Sequence, residues 1–286
     1  MATDHSSSAA SEGFFSIQEA LKNHIKGCES KQQTSALRLF WKAVFAGLMV
    51  GMGAAISNVA AHSITNVGLA RLAAAVVFPV GLMMVILLGA ELFTGDGLAI
   101  ISVLDKKTRL GFFLKLLVTV YLGNLLGGSL LAFLICNCGQ LDYSNGLLGA
   151  YTIKVAVGKV SLSFIEAFVS GILCNILVCF AVLMAACAKD ITGKLLAIFF
   201  VIMIFVTAGF EHCVANMYYI TAGMFAKNQP EYAQLAMDVY GLTEKQLHAL
   251  NLNSYLLKNL LPVTLGNILG GVMFVGAPLY YLNKSK

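Results

Sequence analysis

Two short interruptions of apolar sequence carry the residue types in this chain that are best suited to chemistry. His212 lies in Gly209-Phe-Glu-His-Cys-Val-Ala-Asn216, and Thr94 ends Gly89-Ala-Glu-Leu-Phe-Thr94. An imidazole can donate an N–H group to an anion or exchange a proton with a weak acid near neutral pH. If the two interruptions meet, the Thr94 hydroxyl and the His212 ring can form a hydrogen bond inside a pathway. The alternative is a buried histidine that binds backbone carbonyls.

A glutamate stands at the same position in each interruption, as Glu91 and Glu211. A broken helix exposes backbone N–H groups, and a carboxylate can satisfy them. We therefore expect both glutamates to be structural residues at helix breaks, because an unpaired carboxylate in a pathway for anions would repel them. Asp96 follows Thr94 in the first interruption, which extends to Gly97. Its side chain could tune gating or cap the half-helix that returns there, and we expect the cap.

Lys159 and Asn175 lie at the start and in the middle of a further apolar stretch. A partly desolvated ammonium group at a pore mouth would draw anions inward, and a deeper amide would continue the polar track. Lys159 is equally compatible with an anchor at the membrane surface, and Asn175 with a helix–helix hydrogen bond. The sequence leaves both alternatives open.

The elements that must position these residues are membrane-spanning helices. Hydrophobic residues make up 58% of the chain and charged residues 12%, whereas soluble domains average about 25% charged residues. A helix needs about 20 apolar residues to cross a bilayer, and six stretches approach or exceed this length: 39–61, 73–104, 110–135, 161–187, 193–226 and 255–282. The second and fifth contain the two interruptions, so we predict that they are broken helices.

The chain divides into three segments by composition. We expect a disordered tail over residues 1–13, an amphipathic helix over residues 14–35 and one transmembrane channel domain over residues 36–286. The amphipathic helix lies either on the membrane surface or against the protein body. Six crossings put both termini on one side. Twelve basic residues near that side against six on the other predict that both termini are cytoplasmic.

Several classes of function are disfavoured by the same sequence. The net charge of +5 comes without a Lys/Arg run of the kind that binds nucleic acid. No Gly-x-Ser-x-Gly or His-Glu-x-x-His motif indicates a hydrolase, so we do not expect an enzyme. The seven cysteines show no paired metal-ligand spacing, and we expect neither a metal nor another cofactor. A membrane receptor or assembly scaffold is the non-transport alternative.

The two halves of the chain resemble each other span by span. Phe40-x-x-Ala-x-x-x-Gly47 matches Phe164-x-x-Ala-x-x-x-Gly171, and Gly123-Asn-Leu-Leu-Gly-Gly128 matches Gly266-Asn-Ile-Leu-Gly-Gly271. Three spans per half mean that the second half enters the membrane from the opposite face. An inverted repeat with broken helices at matching positions is typical of transporters and channels. We interpret the glycines of the last pair of motifs mainly as sites of close helix packing.

Four segments together resemble the formate/nitrite transporter family: Gly89-Ala-Glu-Leu-Phe-Thr94, Gly209-Phe-Glu-His-Cys-Val-Ala-Asn-Met217, Gly123-Asn-Leu-Leu-Gly127 and Leu261-Pro-Val-Thr-Leu-Gly-Asn267. The resemblance implies an all-α, aquaporin-like integral membrane fold with six transmembrane helices per protomer in a 3+3 inverted repeat. It also implies a homopentamer in the lipid of the plasma membrane, with one pore per protomer. The implied cargo is a small weak-acid anion together with protons. Formate comes first, then hydrosulfide, nitrite, and lactate or acetate.

The resemblance also implies roles for single residues. Thr94 and His212 would form the central polar site, while Lys159 and Asn175 would attract the anion and pass it on. Large apolar side chains in spans are usually core or lipid contacts, but here they would form constrictions flanking that site: Phe78, Leu82, Leu92, Phe93, Val178 and Phe205. Protonation at or near His212 would let the substrate pass these constrictions without its charge.

Overall fold

The computed structural model describes residues 13–284, and the secondary structure there is almost entirely helical. The first half of the chain contains α1 (Ile17–Gln32), α2 (Ala36–Ala61), α3 (Val67–Val77), α4 (Val80–Leu87), α5 (Phe93–Asp96), α6 (Ile100–Leu104) and α7 (Leu110–Asn137). The second half contains α8 (Leu147–Val160), α9 (Phe164–Cys187), α10 (Ile191–Ala208), α11 (Cys213–Ala226), α12 (Pro230–Tyr240), α13 (Glu244–Ala249), α14 (Leu261–Leu269) and α15 (Ala277–Asn283). The π-helical turns Ser254–Leu260 and Gly270–Gly276 flank α14 and make one continuous long helix with it and α15.

Six helices in residues 13–284 are long and apolar enough to cross a membrane: Ala36–Ala61, Val67–Leu87, Leu110–Asn137, Phe164–Cys187, Ile191–Ala208 and Ser254–Asn283. An even number of crossings leaves both ends of the chain on one side, which we name the amino-terminal face. At this face the Arg109 N–H donates to Gln32 Oε1 at 3.1 Å and joins the start of α7 to the end of α1. The other side, the opposite face, carries α8, α12 and α13.

The second and fifth spans are broken at corresponding places. The first half-helix ends at Leu87 and the next begins at Phe93; in the other repeat the two positions are Ala208 and Cys213. Gly89 and Gly209 adopt φ angles of +64° and +76° just after the first half-helix. This left-handed conformation is accessible to glycine without steric cost and ends the helix. The predicted 3+3 inverted repeat with broken second and fifth helices is therefore confirmed.

Glycine allows the unbroken spans to touch backbone to backbone. A Cβ atom on Gly127 of α7 would lie 2.0 Å from the Val44 carbonyl oxygen of α2. In the second repeat, a Cβ atom on Gly266 of α14 would lie 2.1 Å from the Phe168 carbonyl oxygen of α9. The predicted packing role of these motif glycines is confirmed, because no larger residue fits at either contact.

The amino-terminal helix packs against its own chain. Ser16 and Glu19 form a capping box at its start. Leu21 is buried in a cluster with residues of α6, α9 and the last span, and the Phe15 N–H donates to the Cys187 carbonyl at 2.7 Å. Of the two placements considered for this helix, the structure thus shows docking on the protein body. Residues 1–12 of the expected disordered tail lie outside the described part of the chain.

A helix that the hydropathy pattern did not separate lies at the opposite face. Helix α8 runs from Leu147 to Val160 and ends before α9 begins at Phe164. Lys159 therefore lies in the last turn of α8 and not at the start of the fourth span, which corrects the expectation. The difference arises because α8 is apolar on its buried side and merges with the following span in a hydropathy profile.

Candidate functional site

The two breaks meet at a buried polar pair. Thr94 Oγ1 and His212 Nε2 lie 2.9 Å apart, and both residues are almost fully buried. Thr94 lies in the first turn of α5, and His212 immediately precedes α11. The hydrogen bond expected from the two interruptions is therefore present.

The second ring nitrogen of His212 has a structural partner. Nδ1 accepts the Ala215 N–H at 3.1 Å, so the side chain caps the start of α11. A nitrogen that accepts a hydrogen bond carries no proton, so the neutral ring has its proton on Nε2. His212 Nε2–H accordingly donates to Thr94 Oγ1, which leaves the hydroxyl proton of Thr94 available to a ligand.

Two asparagine side chains form hydrogen bonds with the backbone at the breaks. Asn124 Oδ1 accepts the Phe93 N–H at 2.9 Å, and Asn267 Oδ1 accepts the Cys213 N–H at 2.9 Å. Each side-chain amide also donates to the carbonyl of the break glutamate and to a carbonyl of the first span in the same repeat. Neither asparagine was predicted from the sequence to have a role, although each follows the glycine at the start of one of the two matching motifs.

The two break glutamates bind cations, so the expected contact with backbone N–H groups is wrong. Glu91 lies 2.5 Å from Lys31 Nζ and 3.8 Å from Lys42 Nζ. Glu211 lies 2.9 Å from Lys159 Nζ. Since amide oxygens already accept the first N–H of each following half-helix, the carboxylates are available to the lysines. Both glutamates remain buried at the breaks.

Asp96 does not cap a helix, contrary to expectation. Its Oδ1 atom lies 2.6 Å from Lys31 Nζ, and no N–H group of the following turn reaches its side chain. The position of Lys31 near the end of α1 accounts for this, because the docked helix delivers the ammonium group to both Glu91 and Asp96. Neither Lys31 nor Lys42 was singled out from the sequence.

A vestibule of about 420 Å³ opens at the opposite face. Arg71, Lys154 and Lys159 line it, and His212 lies at its inner end. Lys154 Nζ lies 5.3 Å and 4.6 Å from the ring centroids of two tyrosines, Tyr151 and Tyr240. Lys159 Nζ lies 5.2 Å from the Tyr219 ring. Three cations thus line the vestibule, and of these only Lys159 was predicted from the sequence.

A narrow apolar passage lies beyond the vestibule. A void of about 10 Å³ is lined by Val50, Phe78, Leu82, Leu92, Val178, Ile202, Phe205 and His212. The rings of Phe78 and Phe205 meet edge to face, with centroids 5.5 Å apart, and both also line the vestibule. Five of the six residues proposed for constrictions are therefore together. The sixth, Phe93, is not among the lining residues, and its ring packs against Tyr121 at 5.0 Å.

Asn175 forms the helix–helix hydrogen bond that was the alternative to a role in the pathway. Its amide donates to the carbonyls of Thr94 at 3.2 Å and Asn267 at 2.6 Å. Its two N–H groups are thereby occupied, and the residue joins α9 to α5 and to α14. Within residues 13–284, no group of three or more His, Cys, Asp or Glu side chains is arranged to hold a metal ion.

The sequence model of the family described as "Formate/nitrite transporter" matches residues 18–281, nearly the whole chain. The chain belongs to this family. It is 38% identical over 220 residues to the formate channel FocA of Haemophilus influenzae, which covers 76% of each chain. It is 34% identical over 271 residues to a probable formate transporter of Methanothermobacter thermautotrophicus, which covers 88% of this chain and 91% of the relative.

Two solved structures share the architecture of this formate/nitrite transporter. The first, described as a pentameric formate channel with formate bound, is 30% identical, with a TM-score of 0.77 over 87% of this chain and 98% of the other. The second, described as an FNT family ion channel, is 27% identical, with a TM-score of 0.73 over 93% and 98%. The family membership and the shared architecture show that the chain is a membrane transporter protein of this family.

Proposed function

We propose that this transporter is a channel for small monovalent anions of weak acids and that formate is its main substrate. One arrangement carries the proposal: a vestibule lined by cations narrows to an apolar void, and His212, which is hydrogen-bonded to Thr94, lines both. The relatives named as formate channel and probable formate transporter favour formate over hydrosulfide, nitrite, lactate and acetate. No covalent chemistry on the substrate is needed, so the protein acts as a transporter and not as an enzyme.

The vestibule captures the anion. Arg71, Lys154 and Lys159 line one cavity, and Glu211 forms an ion pair with Lys159. Low-dielectric walls focus the field of such charges and raise the local concentration of an anion. Formate is therefore concentrated on the outer surface of the Phe78–Phe205 pair.

The constriction selects the neutral form of the substrate. A void of about 10 Å³ cannot admit a hydrated ion, and stripping water from an isolated carboxylate is far more costly than stripping it from a carboxylic acid. We infer that formate takes up a proton at or near His212 and crosses the passage as the acid. The proton is released on the far side, so that transport is coupled to protons.

His212 and Thr94 guide this step as hydrogen-bond donors. A second proton on the His212 ring would have to occupy Nδ1 and would displace the Ala215 N–H that caps α11. The ring therefore stays neutral and holds the Thr94 hydroxyl through Nε2–H. The hydroxyl then donates to the substrate, while the transferred proton comes from bulk water through the vestibule.

Assembly and orientation belong to the same proposal. The solved structure described as a pentameric formate channel supports a homopentamer with one pore in each protomer. Large apolar side chains exposed along the spans, such as Leu126 and Phe133, would contact neighbouring protomers or lipid. The excess of basic residues at the amino-terminal face supports a cytoplasmic location for this face, with the protein in the plasma membrane. The opposite face, with the vestibule, would then be external.

Flux through purified protein in liposomes tests the proposed substrate. Formate uptake is measured beside nitrite, hydrosulfide, lactate and acetate, at equal and at unequal pH on the two sides. We expect formate to move fastest and its uptake to rise when the outside is more acidic. Absence of flux for all five anions would refute a transport function and favour the receptor or scaffold alternative.

Two substitutions at His212 test the role of the ring. In His212→Asn the side-chain oxygen can still cap α11, whereas the shorter amide no longer reaches Thr94, so we expect formate flux and its pH dependence to persist at a reduced rate. His212→Phe removes both hydrogen bonds and should abolish pH-dependent flux. Unchanged flux and pH profile in the Phe variant would refute a role for His212. Loss of the pH dependence in the Asn variant would show that the imidazole itself carries the proton.

A further inference from the structure

Asp96 adds a second carboxylate to the lysine at the amino-terminal face. Lys31 Nζ lies 2.6 Å from Asp96 Oδ1 and 2.5 Å from Glu91 Oε2. Both carboxylates are 4% exposed. The other oxygen of Asp96, Oδ2, is buried and has no hydrogen-bond partner. One ammonium group therefore forms ion pairs with two buried carboxylates.

The corresponding place in the second repeat is electrically different. Asp96 follows Glu91 by five residues, and Asn216 follows Glu211 by the same number. Lys159 binds a single carboxylate, that of Glu211. The neutral amide of Asn216 donates to the second oxygen of this glutamate at 2.6 Å. The inverted repeat thus has an aspartate at one face where it has an asparagine at the other.

The Lys31–Glu91 pair is the repeat counterpart of the Lys159–Glu211 pair beside the vestibule, and by this symmetry it marks the amino-terminal mouth of the pathway. The two mouths then differ in charge. At the amino-terminal face, the cluster contains two partly exposed ammonium groups, Lys31 and Lys42, and the two buried carboxylates of Glu91 and Asp96. At the opposite face, three cations line or border the vestibule beside the one carboxylate of Glu211. The first set is neutral in sum, and the second carries two net positive charges.

We propose that Asp96 makes substrate capture asymmetric by cancelling the charge of Lys31 at the amino-terminal mouth. This inference rests on the proposed function, because it concerns the capture of formate by the same pathway. A unit charge a few ångströms from a binding anion changes its occupancy several-fold even where water screens it strongly. The amino-terminal mouth therefore half-saturates at a higher formate concentration than the opposite mouth.

Passive transport limits the form that this asymmetry takes. With equal pH and no voltage across the membrane, the ratio of maximum rate to half-saturating concentration must be the same in both directions, because no net flux occurs at equal concentrations. Entry from the amino-terminal face therefore has both a higher half-saturating concentration and a higher maximum rate. Asp96 tunes the pathway for fast release of formate from that face.

Asp96→Asn tests the inference, since the variant reproduces the amide of the other repeat and keeps an oxygen for Lys31. Right-side-out and inside-out membrane vesicles from the same cells present one face or the other, and formate uptake is measured at equal pH and zero voltage. We expect the half-saturating concentration at the amino-terminal face to fall about fivefold. The value at the opposite face should stay within a factor of two.

Asn216→Asp is the matched change in the other repeat. It places a second carboxylate against that of Glu211, the partner of Lys159, so we expect the half-saturating concentration at the opposite face to rise by a similar factor. This variant keeps the inference testable if Asp96→Asn does not assemble. Equal half-saturation at the two faces of the unchanged protein would overturn the inference. The same holds if Asp96→Asn shifts both faces alike, as expected for a purely structural contact of α1.

The inference and the proposed function fail in different ways. If the unchanged protein carries no formate in either vesicle type, the proposed function is refuted. If it carries formate with the same concentration dependence from both faces, the function stands and the role of Asp96 is refuted.

Discussion

Asn124 and Asn267 make the same three hydrogen bonds in opposite halves of the molecule. Each amide oxygen accepts the first N–H of the half-helix after a break, and each amide nitrogen donates to the break glutamate and to the first span of its repeat. One side chain thus joins three segments that would otherwise leave buried backbone groups unpaired. The central polar pair is held in place by these two amides.

Replacing either amide should destabilise the protein strongly. We expect Asn124→Ala and Asn267→Ala each to lower the free energy of unfolding by about 3 kcal/mol. One buried backbone N–H group and two buried carbonyl groups lose their hydrogen-bond partner together. Thermal unfolding of the purified protein in detergent measures the effect. Asn137→Ala is the control, because its amide lies at an exposed helix end and donates to a single carbonyl of its own helix. Equal stability of all three variants would contradict this role.

Two glycines of α7 should respond in opposite ways to the same change. A Cβ atom on Gly127 would lie 2.0 Å from the Val44 carbonyl oxygen, whereas one on Gly111 would meet nothing within 4 Å. We expect Gly127→Ala to separate α2 from α7 and to cost about 3 kcal/mol. Gly111→Ala should be neutral or slightly stabilising. Size-exclusion profiles and thermal midpoints of the two variants provide the comparison; a normal profile for Gly127→Ala would disprove the close contact.

The Lys159–Glu211 pair allows stability and capture to be separated. Lys159→Met leaves the Glu211 carboxylate buried without its cation, which costs about 3–5 kcal/mol when a buried pair is broken from one side. Adding Glu211→Gln removes this charge, and the glutamine oxygen can still accept from Asn216 and Asn259, as Glu211 Oε2 does. We therefore expect the double variant to recover most of the lost stability.

Formate uptake should not recover in the double variant. The double variant removes a cation and a carboxylate together, so the net charge of the vestibule is unchanged, but the Lys159 ammonium group is no longer there to contact the anion. Uptake at low formate should therefore remain several-fold slower while the maximum rate changes little. Thermal midpoints and uptake curves of the two single variants and the double variant complete the cycle. Normal uptake at low formate in the double variant would show that capture needs no contact between Lys159 and the anion.

Docking of α1 should weaken in acid. Burial, with a smaller contribution from Lys31, lowers the pKa of His24 from 6.5 to about 4. The undocked helix would regain the ordinary value, so the docked form is favoured fully above pH 6.5. This preference declines between pH 6.5 and 4 by about 1.4 kcal/mol per pH unit. Protease sensitivity or amide exchange of α1 at pH 7 and pH 5 should show the loss.

A neutral side chain at position 24 removes this pH dependence. We expect His24→Gln to make the exposure of α1 nearly independent of pH in this range, since no proton is then gained on undocking. His248→Gln, in α13 at the opposite face, should leave the pH profile as it is in the unchanged protein. If His24→Gln retains the full pH response, the response originates elsewhere.

The two helix breaks could be predicted from sequence because they depend on local patterns. Gly89 and Gly209 each precede a glutamate by two residues inside an apolar stretch, and both features favour the end of a helix. Because the two interruptions stand at matching repeat positions, Thr94 and His212 could be expected to meet. The apolar residues of the void came from the family resemblance and not from spacing, since Phe205 lies about one turn before Gly209 and Phe78 about three turns before Gly89.

The polar contacts around the pathway were harder to predict because they join residues far apart in the chain. Lys31 reaches Asp96 across 65 positions, a pairing decided by how α1 docks and not by any local motif. Asn124 was hidden for another reason. The packing role of the neighbouring glycines already accounted for its motif, so the hydrogen bonds of the asparagine in the same motif were overlooked.

The tight void lined by Phe78 and Phe205 affects how well a cell maintains its proton gradient. A space of about 10 Å³ holds at most one water molecule, so no continuous file of water can run from one side to the other. Protons and hydroxide ions leak through membranes by hopping along such files. Protons therefore cross only together with formate, and in its absence a cell can keep many copies of this pathway in its membrane without discharging the electrochemical gradient on which ATP synthesis depends.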